Sequence, residues 1–217
     1  SAGTATAKRK TLGLALFVAC IFFGSCAENV MSNWISSYTE TALHIDKAVG
    51  DLLGMAMFAV LLGAGRMAYS KFGKNIRPVL LGGMFGAACC YLVAGLAHSA
   101  LAAFLACIFT GLFTAMLWPG TLIMMEETLP GVGVAAYALM AAGGDLGASV
   151  APQLMGAVID KVSASPYVAE LAAGLHLSAE QVGLKAGMLV SAFFPLAGTV
   201  LIVLMLRYFK NQRTRAC

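Results

Sequence analysis

Charge is scarce in this sequence. Only 11% of its 217 residues are Asp, Glu, Lys or Arg, while 60% are hydrophobic; an ordinary soluble domain carries roughly 25% charged residues. A core of this size cannot hide so much apolar surface from water, so hydrocarbon must be the solvent. The marks of catalysis are missing as well. There is no HExxH, no GxSxG and no P-loop. The three histidines, His44, His98 and His176, fall outside the apolar stretches or at their boundary. No nucleophile can be matched with a partner, so no enzyme, cofactor or metal site is expected. None of the six cysteines has ligand-like spacing to a histidine. Cys20, Cys26, Cys89, Cys90 and Cys107 lie in apolar stretches, where cysteine acts as a small apolar residue, and Cys217 is in the tail. The alternating pattern of a membrane β-barrel is also absent.

What the sequence does contain is six apolar stretches, near Leu12–Tyr38, Val49–Tyr69, Pro78–Ala97, Leu101–Met125, Val132–Ile159 and Ala186–Tyr208. Each meets the length of about 20 residues that a bilayer-spanning helix needs. The fold class expected is therefore an all-α membrane protein with six transmembrane helices in one domain. Lys8, Arg9 and Lys10 resemble the start of a signal peptide. The apolar run behind them is too long for one and lacks a small-residue cleavage site, so it reads as a true span.

Basic residues set the orientation. Lys8, Arg9, Lys10, Arg66, Lys71, Lys74, Arg77, Arg207, Lys210, Arg213 and Arg215 fall on one side, eleven in all, against Lys47, Lys161 and Lys185 on the other. Positive charge stays in the cytoplasm, which places both termini inside and Asp160–Lys185 outside as a polar loop. The net charge of +4 then reports orientation, and no nucleic-acid patch is expected. Ser178 and Gln181 have the spacing of a capping box, suited to a short surface helix in that loop.

Polar residues at membrane depth mark a cavity or a helix contact. The first stretch holds Ser25, Glu28, Asn29, Ser32, Asn33 and Ser36, which share an arc of roughly 140° at 100° per residue. Glu28 stands out: its carboxyl is desolvated there, so a protonated form becomes accessible near neutral pH, and it is either a coupling or binding carboxyl or a structural one hydrogen-bonded to another helix. Trp34 and Tyr38 fall on the opposite face as interface aromatics. Asp145 sits among Gly143, Gly144 and Gly147, and either lines a cavity or anchors a gate. The pairs Gly143/Gly147, Gly50/Gly54 and Gly82/Gly86 have the spacing of close helix contacts. Pro152 and Trp118-Pro119 mark kinks, and the Trp118 ring is suited either to stacking on a sugar or to packing.

Three sets of residues resemble the major facilitator superfamily. Gly65-Arg66, Lys71-Phe72-Gly73-Lys74 and Arg77 resemble its cytoplasmic loop signature, with Ser70 where the signature has an acidic residue. Glu127-Thr128-Leu129-Pro130, then Gly143-Gly144 with Gly147, Pro152 and Gly156, resemble its passage from the tenth helix through the eleventh. Ala27-Glu28-Asn29, Trp34 and Tyr38 resemble the seventh helix of its fucose-permease-like branch.

The resemblance implies helices seven to twelve of a two-half fold, with Gly65, Arg66, Lys71, Gly73, Lys74 and Arg77 as a gating loop. Glu28, Asn29, Ser32, Asn33, Trp118 and Asp145 are then the candidates for solute binding or coupling. The function implied is secondary transport of a small solute, a sugar first, coupled to a proton across the cytoplasmic membrane. The implied partners are the solute, the proton, the bilayer and an N-terminal six-helix half or a second copy, the chain being a piece of a transporter of roughly 400 residues on that reading. The alternatives are a non-transporting sensor or scaffold, or an efflux carrier for drugs or organic acids. With no mid-membrane Arg or Lys expected, an anionic solute is disfavoured.

Overall fold

The computed structural model describes residues 2–174 and 176–214, and these are all-helical, with no strand among them. Six helical stretches are long and apolar enough to cross a membrane: Lys10–Ala42, Lys47–Phe72, Ile76–Leu96, Ala100–Thr128, Val134–Ser163 and Ala179–Lys210. The chain is a multi-pass membrane protein. Arg215 and Cys217 lie outside the described residues.

Nine of the ten α-helices among the described residues build the spans. α1 (Ala2–Ser37) forms the first span with a π-helical turn, Tyr38–Ala42. The second joins α2 (Lys47–Val49), a π-helical stretch Gly50–Met55, and α3 (Ala56–Phe72). α4 (Ile76–Leu96) is the third, and α5 (Ala100–Thr114) with α6 (Leu117–Thr128) the fourth. α7 (Val134–Ser163) is the fifth. α8 (Pro166–Gly174) is a short connector, and α9 (Ala179–Ser191) with α10 (Phe193–Thr214) makes the sixth.

Short polar connections start the helices sharply, because the first four N–H groups of a helix need acceptors from outside it. Asp46 Oδ1 accepts from Ala48 and Val49, Asn75 Oδ1 from Arg77, and Ser99 Oγ from Ala102. Ser178 and Gln181 form the full capping box. The helix it starts is not a short surface helix, however. It runs on into the sixth span, so the stretch 160–185 consists mostly of helices joined by brief turns.

α1 is the central column. It packs along α7 and also touches α4, α6 and α10, while α4 packs on α5 and α9. Phe17 stacks on Phe209 with ring centroids 5.9 Å apart, so the first part of α1 and the last part of α10 lie on one side of the bundle. Small residues let α7 approach α1: a β-carbon at Gly143 would lie 2.7 Å from Val18 Cγ1, and one at Gly147 would strike the Phe22 carbonyl. In the pair Gly82/Gly86 only Gly86 packs this way, against Phe113; Gly82 faces open space.

Two aromatics depart from the sequence expectation. Trp34 and Tyr38 are packing residues and not an interface belt. Trp34 Nε1 donates to the Pro152 carbonyl of α7 at 3.1 Å. Tyr38 is fully buried and its hydroxyl donates to the Ala94 carbonyl of α4. The reciprocal bond, Tyr91 hydroxyl to the Ala27 carbonyl at 2.8 Å, ties α4 back to α1. These two buried hydroxyls find partners across the bundle, where an unmade hydrogen bond would be costly.

Candidate functional site

The site starts from a proline. Pro119 has no N–H to give, so the carbonyl four residues earlier, Ala115, loses its helical donor. Here the fourth span breaks between α5 and α6, at residues 115 and 116. Arg66 supplies the missing donor: its Nε reaches the Ala115 carbonyl at 3.0 Å. α3 lies close enough for this because residue 65 is glycine, where a β-carbon would sit 2.7 Å from the Ala115 β-carbon.

The other end of the guanidinium meets Glu28. Arg66 Nη2 lies 3.7 Å from Glu28 Oε2, with the Glu28 side chain 21% exposed and that of Arg66 45%. Gly65 and Arg66 thus belong to a membrane helix and not to the connecting turn. Arg66 lies six residues before the end of α3, and its long side chain reaches back toward the break. The turn itself is brief: Gly73 N–H donates to the Tyr69 carbonyl, and Asn75 caps α4. Lys71, Gly73 and Lys74 are exposed there, and Arg77 is half-buried.

A third edge closes from α7. A β-carbon at Gly144 would lie 2.5 Å from Trp118 Nε1 and 3.6 Å from Ser25 Oγ. Trp118 is one turn from Ala115, and Ser25 one turn from Glu28. The first, second, fourth and fifth spans therefore meet around Glu28, Arg66, the Ala115 carbonyl and Trp118.

The polar stripe of α1 continues from this junction. Asn29 Nδ2 donates to the Ser25 carbonyl at 3.0 Å, and Asn33 Nδ2 to the Asn29 carbonyl at 2.7 Å. Ser32 Oγ donates to the same Asn29 carbonyl at 3.3 Å. Each amide nitrogen gives one N–H to its own helix, which leaves a second N–H and the amide oxygen of each residue to offer to a ligand. Farther along, Ser36 Oγ donates to Asp51 Oδ1 of the second span. Glu28, Asn29 and Ser32 are half-buried and Asn33 is exposed. Asp145 is exposed, and its carbonyl accepts from Ser149 Oγ; the ion pair is made by Glu28 and Arg66 without it.

The residue that sequence reasoning misplaced is Arg66. The signal that would have found it is the pairing of two needs: a carboxylate at depth requires a cation, and Pro119 frees a carbonyl that requires a donor. No family model matches this chain, and no curated protein matches it.

Proposed function

We infer that this chain is one half of a solute carrier of the major-facilitator type, containing the membrane-depth site through which a small polar solute is bound and coupled to a proton. The observation carrying this reading is the Glu28–Arg66 pair at the break in the fourth span. An ion pair at membrane depth is costly and is kept where it faces a cavity or serves a switch. Protonation of Glu28 would release the guanidinium from its carboxylate while leaving it on the Ala115 carbonyl. That gives one site two charge states. Half-buried Asn29 and exposed Asn33 lie on the same helix, with amide groups that can meet hydroxyls, and Trp118 presents a half-buried ring beside the junction. A sugar suits this set.

Arg66 also favours a second reading, an organic acid as solute, since a guanidinium is a planar fork matched to a carboxylate. The complementary half would be an N-terminal six-helix domain or a second copy. Of the chain's basic residues only Lys8, Arg9, Lys74, Arg213 and Arg215 fall outside the six stretches, and all five belong by sequence to the side of the termini, which favours cytoplasmic termini. The test is proton movement into vesicles carrying the full-length protein when sugars or organic acids are added outside. Alkalinisation of the medium driven by one of these solutes, and absent from empty vesicles, supports proton-coupled carriage. Solute binding with no flux of solute or proton would point to a sensor or scaffold.

A further inference from the structure

All three histidines of the chain line one cavity, well away from the Glu28–Arg66 junction. The cavity holds about 570 Å³ at the end of the bundle opposite the termini, where the first-to-second, third-to-fourth and fifth-to-sixth connections converge. His44, His98, His176, Gln181 and Lys185 supply its polar lining, and Leu43, Leu96 and Leu177 its apolar part. The volume lies in the range of ordinary small-molecule sites, roughly 300–1,000 Å³.

The polar groups are organised by the capping box. Gln181, 5% exposed, accepts the Ser178 N–H on Oε1 at 2.7 Å, which fixes its amide orientation. Its Nε2 therefore points the other way, donating to the Ala42 carbonyl at 3.3 Å and meeting His44 Nε2 at 2.9 Å. An amide nitrogen only donates, so His44 Nε2 is the acceptor and Nδ1 carries the ring proton. The Lys185 ammonium donates to the Ala97 carbonyl at 2.9 Å; with three donors on the group, two remain. His44 and His176 are held at φ 55°, in the left-handed region where histidine is among the more tolerated residues.

The lining has donors and positive charge but no carboxylate among the described residues. Of the acids near it in sequence, Glu180 is exposed and outside the lining, and Asp46 turns its Oδ1 to the N–H groups of its own helix. No trio of His, Cys, Asp or Glu among the described residues is placed to hold a metal ion. We propose that this cavity binds a small oxyanion, a carboxylate or phosphate group, with Lys185 as its fixed charge and the histidine N–H groups as added donors. The proposal does not rest on the transport reading. A free anion and a lipid phosphate share this chemistry.

Thermal unfolding of the purified full chain in neutral detergent, titrated with sodium phosphate against chloride at constant ionic strength, tests it. The expected result is a saturable rise in Tm. Its half-maximal concentration should move at least about tenfold upward in Lys185→Gln, where the amide can still donate to Ala97, and several-fold in His98→Gln. If phosphate has no effect but nanodiscs containing phosphatidylglycerol raise Tm above phosphatidylcholine alone, with the same loss in Lys185→Gln, the anion is a headgroup and the proposal stands. The absence of a specific response to either probe overturns it, as does a wild-type response in Lys185→Gln. Should Lys185→Gln not fold, the exposed His98→Gln decides, and an unchanged midpoint there overturns the site.

Discussion

The two faces of α1 solve opposite problems. Toward α7 and α4 the helix is close-packed: glycines admit the neighbouring backbone, Trp34 and Tyr38 bond carbonyls of other spans, and Ile21 is wholly buried beside Gly143. Toward the second span the same helix carries Glu28, Asn29, Ser32 and Asn33, half-buried or exposed, with Arg66 reaching across to Glu28 and Asp51 to Ser36. On the first face every polar group named has a partner within this chain. On the second, acceptors are left over. Within one helix, then, stability and the candidate site are separated by face, and substitutions on the two faces should fail in different ways.

The largest effect belongs to the packed face. Gly147→Leu drives a side chain into the Phe22 carbonyl, which is backbone and cannot swing aside. Overpacking of this kind typically costs about 1–3 kcal/mol, and more where backbone must move. A sharp fall in folded yield and Tm is expected in detergent. A stable Gly147→Leu variant would break the comparison.

Next comes Arg66→Gln. It leaves Glu28 without its cation and weakens the cover on the Ala115 carbonyl. Loss of one partner of a fully buried pair costs about 3–5 kcal/mol. Arg66 is half exposed, so solvent screening brings the expected cost to roughly 1–2 kcal/mol. The double variant Glu28→Gln/Arg66→Gln should recover part of that loss, and thermal melts of the four-member cycle measure the coupling. Strict additivity would remove the ion pair from the account.

Trp34→Phe removes one hydrogen bond to Pro152 while keeping most of the ring, for about 1 kcal/mol. Asn33→Ala, on the open face, should change stability by no more than about 0.5 kcal/mol while weakening solute binding. A large stability loss at Asn33 would mean that the open face is structural.

The six spans were legible because long apolar runs leave no other option in a bilayer. Their ends were not. Hydropathy falls off before the helix does, and Asp46, Asn75, Ser99 and Ser178 start helices from within polar turns. The π-helical segments Tyr38–Ala42 and Gly50–Met55 left no mark in the periodicity. Trp34 and Tyr38 were misread because an amphipathic ring has the same sequence signature at an interface as against a carbonyl. The acceptors that decide the matter, Pro152 and Ala94, lie far along the chain. Glu28 was readable as an isolated acid at depth. Arg66 was not, since charge alone assigned it to a turn, and only the tertiary approach of α3 to the broken fourth span carries it inward.

The most direct measurement of the central claim is transport by Glu28→Gln in the full-length protein, reconstituted with a solute that the wild type accumulates. Gln keeps the shape and the hydrogen-bonding capacity of the carboxyl but cannot ionise. The account predicts unchanged expression and Tm within about 1 kcal/mol, loss of concentrative uptake, and exchange of solute down its gradient if Glu28 serves coupling alone; loss of binding as well would assign it to solute recognition. Wild-type accumulation by Glu28→Gln across a range of pH would contradict it.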